Sequence, residues 1–319
     1  MKILIIRFSS IGDIVLTTPV VRCIKLQTQA EIHFLTKKKY QNTLQNNPYI
    51  TQIFGLDAHI NQLLPELKAQ NYDLIIDLHN NLRTLWVKLF LGKKSVSFQK
   101  LNLEKWLLVN FKIDLLPKLH IVDRNLKTAL GLGVVNDEQG LDFFIDAQNI
   151  VNAQAIFGKK YIAFAVGAQY ATKRLPTPKI IEICDQLPMP VVLLGDKTDY
   201  ETAQEIAQKS RNMHIFNACG GYNLQQSASI VQQAQRLITH DTGLMHIAAA
   251  LRTPITSVWG STVPAFGMTP YKTPHTVVQT LGLGCRPCSK IGYSSCPKTH
   301  FKCMQNIDIQ EVLAFVSLP

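Results

Sequence analysis

Short apolar runs alternate along the chain with longer stretches in which apolar positions recur every three or four residues. The runs "KILIIRF", "EIHFLT", "QIFGL" and "DLIIDL" occupy the first half, and "YIAFAVG", "VVLLG", "HIFNAC", "RLITH", "ITSVWG" and "TVVQT" the second. Runs of this length, rich in Val, Ile and Leu, fit strands buried on both faces, and the helical stretches between them supply crossovers. Two rounds of a βαβ pattern predict two doubly wound, Rossmann-like α/β domains with parallel sheets. The stretch "IDAQNIVNAQAIFGKK" separates them, giving expected domains at 1–152 and 153–319. No low-complexity tract or short repeat interrupts the pattern.

In an open α/β sheet, ligands bind beyond the carboxyl ends of the strands, and this sorts the polar residues. Asp13 follows the first strand across "SSIG", where the apolar pattern resumes with Ile14, Val15 and Leu16. A carboxylate there serves as an ordinary first-turn helix residue, or as a base facing a cleft. In the second half, "AVGAQYATKRLP" places Gly167, Thr172, Lys173 and Arg174 after one strand, and "LITHDTGLMHIAAAL" places Asp241, Thr242, Gly243 and His246 after another. A Thr-Gly pair opening a helix offers free N–H groups, the helix dipole and a hydroxyl to an anion. A lysine from the neighbouring loop balances a diphosphate. His246, one turn inside the helix, suits core packing as well as ligand contact.

Composition narrows the classes. At 319 residues with 46% hydrophobic content the chain can bury two ordinary cores. It contains no apolar run of about 18 residues, and its N-terminal run soon meets Arg7, so neither a membrane span nor a signal peptide is expected and a cytoplasmic protein is. Seven cysteines, an odd number, argue against a secreted disulfide framework. The first turn reads Ser9-Ser10-Ile11-Gly12 and the second strand ends in Thr36-Lys37. The glycine fingerprint and ribose-binding acid of a dinucleotide site are therefore missing, and no P-loop lysine follows a strand.

The net charge of +11 is uneven: from Arg83 to Lys118 there are eight Lys or Arg against two acids, interleaved with Trp86, Phe90, Phe98, Trp106 and Phe111. That segment suits anionic lipid or a phosphorylated substrate, or forms a solvated basic face over a helix stripe. Lys93, Lys94, Lys100 and Lys105 are close enough in sequence to act together. No nucleic-acid-binding signature accompanies the charge, so nucleic acid is not an expected partner.

Taken together, "RFSSIGDIVLTTPV", "GAQYATKRLP", "HDTGLMHIAAAL" and "VWGSTVP" resemble, in order and spacing, the ADP-heptose:lipopolysaccharide heptosyltransferases of glycosyltransferase family nine. The resemblance implies a GT-B architecture, with the acceptor on the N-terminal domain, the nucleotide sugar on the C-terminal one and the active site in the cleft between them. It implies inverting transfer of a heptose from ADP-heptose to the inner core of lipopolysaccharide, on Kdo-lipid A or a heptosyl acceptor, with no metal needed for the chemistry. Asp13 matches the family's catalytic base. Lys173, Thr242 and Gly243 fit the departing diphosphate, Asp241 the sugar or ribose hydroxyls, and Gly167 and His246 complete the donor set. His79, Asn80 and Arg83 in "DLHNNLRT", and Arg124 in "HIVDRNLKTALGLG", stand where the family meets its acidic, lipid A-linked acceptor. A guanidinium there grips a carboxylate or phosphate with two hydrogen bonds, or serves as a surface ion-pair partner. A peripheral position on the inner leaflet follows from such an acceptor. A transferase for another nucleotide sugar in surface polysaccharide synthesis, or a GT-B epimerase, would use the same donor loops.

The stretch "CRPCSKIGYSSCPKTHFKC" puts Cys285, Cys288, Cys296 and Cys303 within 19 residues. Four thiolates can build a structural zinc site, with His300 as a substitute ligand, but the spacing of the second pair is looser than in a zinc ribbon. Buried free thiols and disulfides are the other readings.

Overall fold

A computed structural model describes residues 1–314. The chain divides into two compact units, each with its own parallel sheet. The first comprises Met1–Lys100 and Leu119–Asp146; the second comprises Leu101–Lys118 and the chain from Ala147 onward.

The first unit has strands β1 (Lys2–Ile6), β2 (Glu31–Lys37), β3 (Gln52–Leu56), β4 (Leu74–Asp77) and β5 (Ser95–Ser97), in the order β3-β2-β1-β4-β5. Helices α1 (Ile11–Val15) and α2 (Thr18–Thr28) follow β1, α3 (Leu64–Ala69) follows β3, and α4 (Leu82–Leu91) follows β4. Next comes α5 (Asn102–Phe111), which packs with the second unit, and then α6 (Ile121–Leu126), back in the first. Ile3 to Ile6 are all fully buried, as a central strand covered on both faces requires. Leu4, Ile6, Leu35, Phe54 and Ile75 share a core with Leu67, Val87 and Leu91 of the helices. Ile6 is level with Asp77 in the β1–β4 ladder, so the loops leaving these two strands emerge side by side. Later chain is fastened onto this unit by buried Arg22 of α2, whose guanidinium meets Asp137, Asp142 and the Gly140 carbonyl.

The second unit has strands β6 (Ile162–Ala165), β7 (Val191–Leu194), β8 (Ile215–Asn217), β9 (Arg236–His240), β10 (Ile255–Trp259) and β11 (His275–Gln279), in the order β11-β10-β9-β6-β7-β8. Its helices are α7 (Ala153–Phe157), α8 (Thr177–Gln186), α9 (Tyr200–Lys209), α10 (Leu224–Gln233), α11 (Gly243–Ala250), α12 (Lys302–Gln305) and α13 (Ile309–Leu313). In both sheets the first strand lies between the second and the fourth. The crevice where strand order reverses is therefore between β1 and β4 in one unit and between β6 and β9 in the other. Both domains are Rossmann-like, as the hydrophobic pattern predicts.

The sequence expectation of a single cut at 152 differs from this division at 101–118. That segment is held by Leu108, which is buried, and by the Lys112 ammonium, which donates to the carbonyls of Pro287 at 2.8 Å and Cys285 at 3.5 Å. Among the described residues no helix is long and apolar enough to cross a membrane.

Candidate active site

The chain turns into α1 immediately after β1, and Asp13 falls at its third position, with Ser10 as N-cap. The Ser10 backbone N–H and hydroxyl both donate to Asp13 Oδ2 at 3.0 Å. Arg7 Nη2 lies 2.7 Å from Asp13 Oδ1. The same guanidinium donates through Nε to the Ser9 carbonyl and through Nη1 to the Leu78 carbonyl at the end of β4. Burial pulls the Asp13 pKa up, but the Arg7 cation and the two bonds from Ser10 outweigh it and hold the group below its ordinary value. The side chain stays about a quarter exposed, at 27%. Asp13 is thus both the first-turn carboxylate and an ionised group with a route to solvent.

The β4 loop faces it across the crevice. Asp77, fully buried, accepts the backbone N–H groups of His79 and Asn80, and Lys88 of α4 neutralises it at 2.9 Å. His79 stands edge-on to the Phe8 ring, and burial, aided by the Arg7 and Lys100 cations, depresses it to about 4, so it is neutral at physiological pH. Asn80 adopts a left-handed backbone and its amide donates to the Phe98 carbonyl. Phe8, Ser9, Lys37, His79, Asn81, Leu82 and Arg83 line an open groove of about 510 Å³. The Arg83 guanidinium lies over the Phe8 ring, exposed to that groove. Arg124, expected on the acceptor side, is buried, donates to the Gln99 carbonyl at 3.1 Å and stacks on Phe98. It ties the chain after β5 in place.

In the second unit the loops after β6 and β9 converge. Lys173 Nζ is 2.6 Å from Asp241 Oδ2, and the Thr262 hydroxyl donates to the same oxygen at 2.9 Å. Both charged side chains are largely buried. Thr242 is the N-cap of α11, its hydroxyl 3.2 Å from that of Thr239, and Gly243 opens the helix. His246 is buried in α11, which fits the packing reading. Gly167 makes room for a neighbour: a Cβ there would come within 2.0 Å of the Asp199 carboxylate. That carboxylate is tied to the Asp196 N–H and Arg174. His240, at the end of β9, accepts the Leu175 N–H at 3.0 Å and is depressed to about 4 by burial.

The cysteine-rich loop braces this site. Arg286 donates to the carbonyls of Trp259, Gly260, Thr262 and Thr280, fastening the ends of β10 and β11 together with the residue that bonds Asp241. Thr172 exchanges hydrogen bonds with Tyr293 and Ser261. Among the described residues no three Cys, His, Asp or Glu groups come together as a metal site, although Cys288 and Cys303 each feel the charge of the other cysteines of the loop. Cys288 points its Sγ at the Cys285 carbonyl, Cys285 lies 3.9 Å from His300, and Cys303 is buried in the core beside Met304. All four are free thiols.

Residues 60–298 match the family described as glycosyltransferase family 9 (heptosyltransferase). The chain belongs to glycosyltransferase family 9. Lipopolysaccharide heptosyltransferase 1 of Campylobacter coli is 26% identical over 289 residues, covering 82% of this chain and 84% of that protein. In fold, the family 9 glycosyl transferase from Veillonella parvula DSM 2008 superposes with a TM-score of 0.80 at 22% identity, covering 98% and 95% of the two chains. The E. coli ADP-heptose lps heptosyltransferase II superposes at 0.71 and 22%, covering 99% and 100%. This family 9 enzyme is a glycosyltransferase. The matched span holds the Lys173–Asp241 site but begins after Asp13, whose assignment therefore depends on local geometry and the N-terminal motif.

Four site residues were not singled out from sequence: Arg7, His240, Thr262 and Arg286. Arg7 had a signal, an arginine closing an apolar strand six residues before an aspartate; the others act through partners remote in sequence.

Proposed function

We propose that this enzyme transfers a heptose, with inversion, from ADP-heptose to an acidic, lipid A-linked acceptor of the lipopolysaccharide inner core. It would act in the cytoplasm at the inner membrane surface. The observation that carries this reading is the ionised, partly exposed Asp13 carboxylate, held at a switch-point crevice in a family 9 chain. The relatives' names supply the donor and acceptor classes.

In the proposed step Asp13 takes the proton from the acceptor hydroxyl as its oxygen bonds to the anomeric carbon. The bond from that carbon to the phosphate oxygen breaks, and its electron pair leaves with ADP. A carboxylate held below its ordinary pKa is a modest base, so its contribution lies in being ionised and aimed. Arg7 and Ser10 fix that aim. The α11 N-terminus offers free N–H groups to the leaving diphosphate, and Lys173, oriented by Asp241, adds a cation beside it. Arg83, over Phe8, is the acceptor-side cation. The step uses no bound metal.

Incubating the protein with ADP-heptose and deacylated Kdo-lipid A, then weighing the product by mass spectrometry, tests the reading. A gain of one heptose with release of ADP supports it. Transfer from a different nucleotide sugar in a donor panel, or epimerisation with no transfer, replaces it.

A further inference from the structure

Helix α4 has two apolar faces, and only one of them is covered. Thr84, Val87 and Leu91 point into the core, whereas Leu82, Leu85, Trp86, Leu89 and Phe90 are exposed on the opposite side, Leu89 at 66%. Helical spacing gathers these five into one continuous strip. A helix that needed only to cover the sheet would carry polar residues there.

The margins of the strip are basic. Arg83 stands beside its first turn, Lys68 of α3 lies over the Phe90 ring at 5.1 Å, and Lys93 and Lys94, both exposed, follow the helix. No acid occurs between Asp77 and Glu104, and Lys88, the remaining cation of α4, is turned inward to Asp77. Trp86 keeps its indole N–H satisfied at the edge of the strip by donating to Asn61. Leu82 of the strip and Arg83 at its margin also line the groove beside Asp13, so the apolar surface runs into the candidate acceptor site.

We propose that the outer face of α4 enters the headgroup region of an anionic bilayer, delivering the groove to an acceptor still anchored in it. This deepens the reading of a lipid-linked acceptor and rests on it for the purpose of the contact, though the contact can be measured alone. An aromatic and leucine strip buried at the interface, with lysines over anionic headgroups, is how an amphipathic helix holds a membrane surface. A second copy of the chain fits less well, because a twofold pairing through this face would bring the two sets of cations together. The four-lysine cluster expected from sequence is also redrawn: Lys93 and Lys94 border the strip, Lys100 is half-buried, and Lys105 lies on α5 of the other unit.

The test is sedimentation of the full-length protein with vesicles of phosphatidylcholine and phosphatidylglycerol at low salt. The wild type is expected to partition into the pellet, and Leu85→Ser/Leu89→Ser and Lys93→Glu/Lys94→Glu each to lose at least tenfold in partition coefficient. Pure phosphatidylcholine should bind far less. Tryptophan emission should shift to the blue on vesicle addition and fail to do so in Trp86→Phe. Transfer to the deacylated, soluble acceptor should be unchanged in both double variants. If that soluble reaction fails in the wild type while the vesicle results hold, the function reading falls and the membrane surface stands. Absent wild-type binding, equal binding by the variants, or a dimer in sedimentation equilibrium that Leu85→Ser/Leu89→Ser dissolves would overturn the proposal.

Discussion

The two units place their chemistry at the same topological slot and equip it in opposite ways. In the first, the loop after the opening strand carries an anion, Asp13, held by a cation from that strand's own end, Arg7. In the second, the corresponding loop carries a cation, Lys173, held by an anion from the fourth strand's end, Asp241. One pair spans six residues and the other 68. The local pair keeps a carboxylate ionised and partly open to solvent, which suits proton removal. The long-range pair orients a lysine and joins two loops, which suits gripping a ligand that touches both. Duplicated architecture fixes where a site can form, and the sign of the charge on the first loop fixes what it can do.

Asp13→Asn should give the largest effect in testing this contrast. It keeps the size and the Ser10 bonds but cannot take the proton, so kcat should fall by roughly 10²-fold or more while ADP affinity stays unchanged. Steady-state kinetics beside calorimetry would measure both, and retained turnover would remove the base from the first unit.

Lys173→Ala comes next. Losing a charge-assisted contact should weaken ADP binding by about 1–3 kcal/mol, and the Asp241 carboxylate is left largely buried without its cation, so the second unit should also melt earlier. Unchanged calorimetric affinity would place the diphosphate elsewhere and leave Lys173 a loop tie only.

Gly167→Ala sharpens the comparison without touching charge. Its Cβ would press on the Asp199 carboxylate, wedged between the β6 and β7 loops, and the expected cost is about 1–3 kcal/mol of stability in urea unfolding. A variant as stable as the wild type would show that the Asp199 side chain can move aside.

The last effect, spread over a pH range and not seen at neutral pH, is a pH dependence shared by both units. His79 and His240 are each depressed from 6.5 to about 4 in the folded protein. Unfolded, each takes a proton below about 6.5; folded, each resists until about 4. The unfolded chain thus binds more protons in that window, and stability should fall as pH drops from 6.5 to 4, by roughly 1–3 kcal/mol per histidine, and change little from this source above 6.5. Replacing His79 by Asn should flatten its share of the slope in denaturant titrations.

All ten strands expected from apolar runs are present; the central ones, buried on both faces, announce themselves as unbroken Val, Ile and Leu runs. β5 escaped notice: Ser95-Val96-Ser97 is a three-residue edge strand with one apolar side chain. Asp13 was legible because its partners are neighbours, and Lys173 and Asp241 were legible singly. Their pairing was not, since it depends on β6 and β9 lying side by side. The surroundings of Arg124 were hidden for the same reason: only packing shows its guanidinium against the Gln99 carbonyl and the Phe98 ring. The cysteine loop was legible as a cluster, but the Arg286 bonds that fasten it to the strand ends were not, since their acceptors are backbone carbonyls the sequence does not mark.

The excursion of 101–118 has a consequence for how such a protein can be taken apart. The backbone passes between units after Lys100, again after Lys118 and again after Asp146. No single break separates the two units: a fragment ending near 152 carries α5 away from the unit it belongs to, and one starting there lacks the Lys112 that donates to the carbonyls of Cys285 and Pro287. Exchange of one unit between relatives by a single crossover would leave that helix against a stranger's surface. Functional chimeras should instead need the 101–118 segment to travel with the second half.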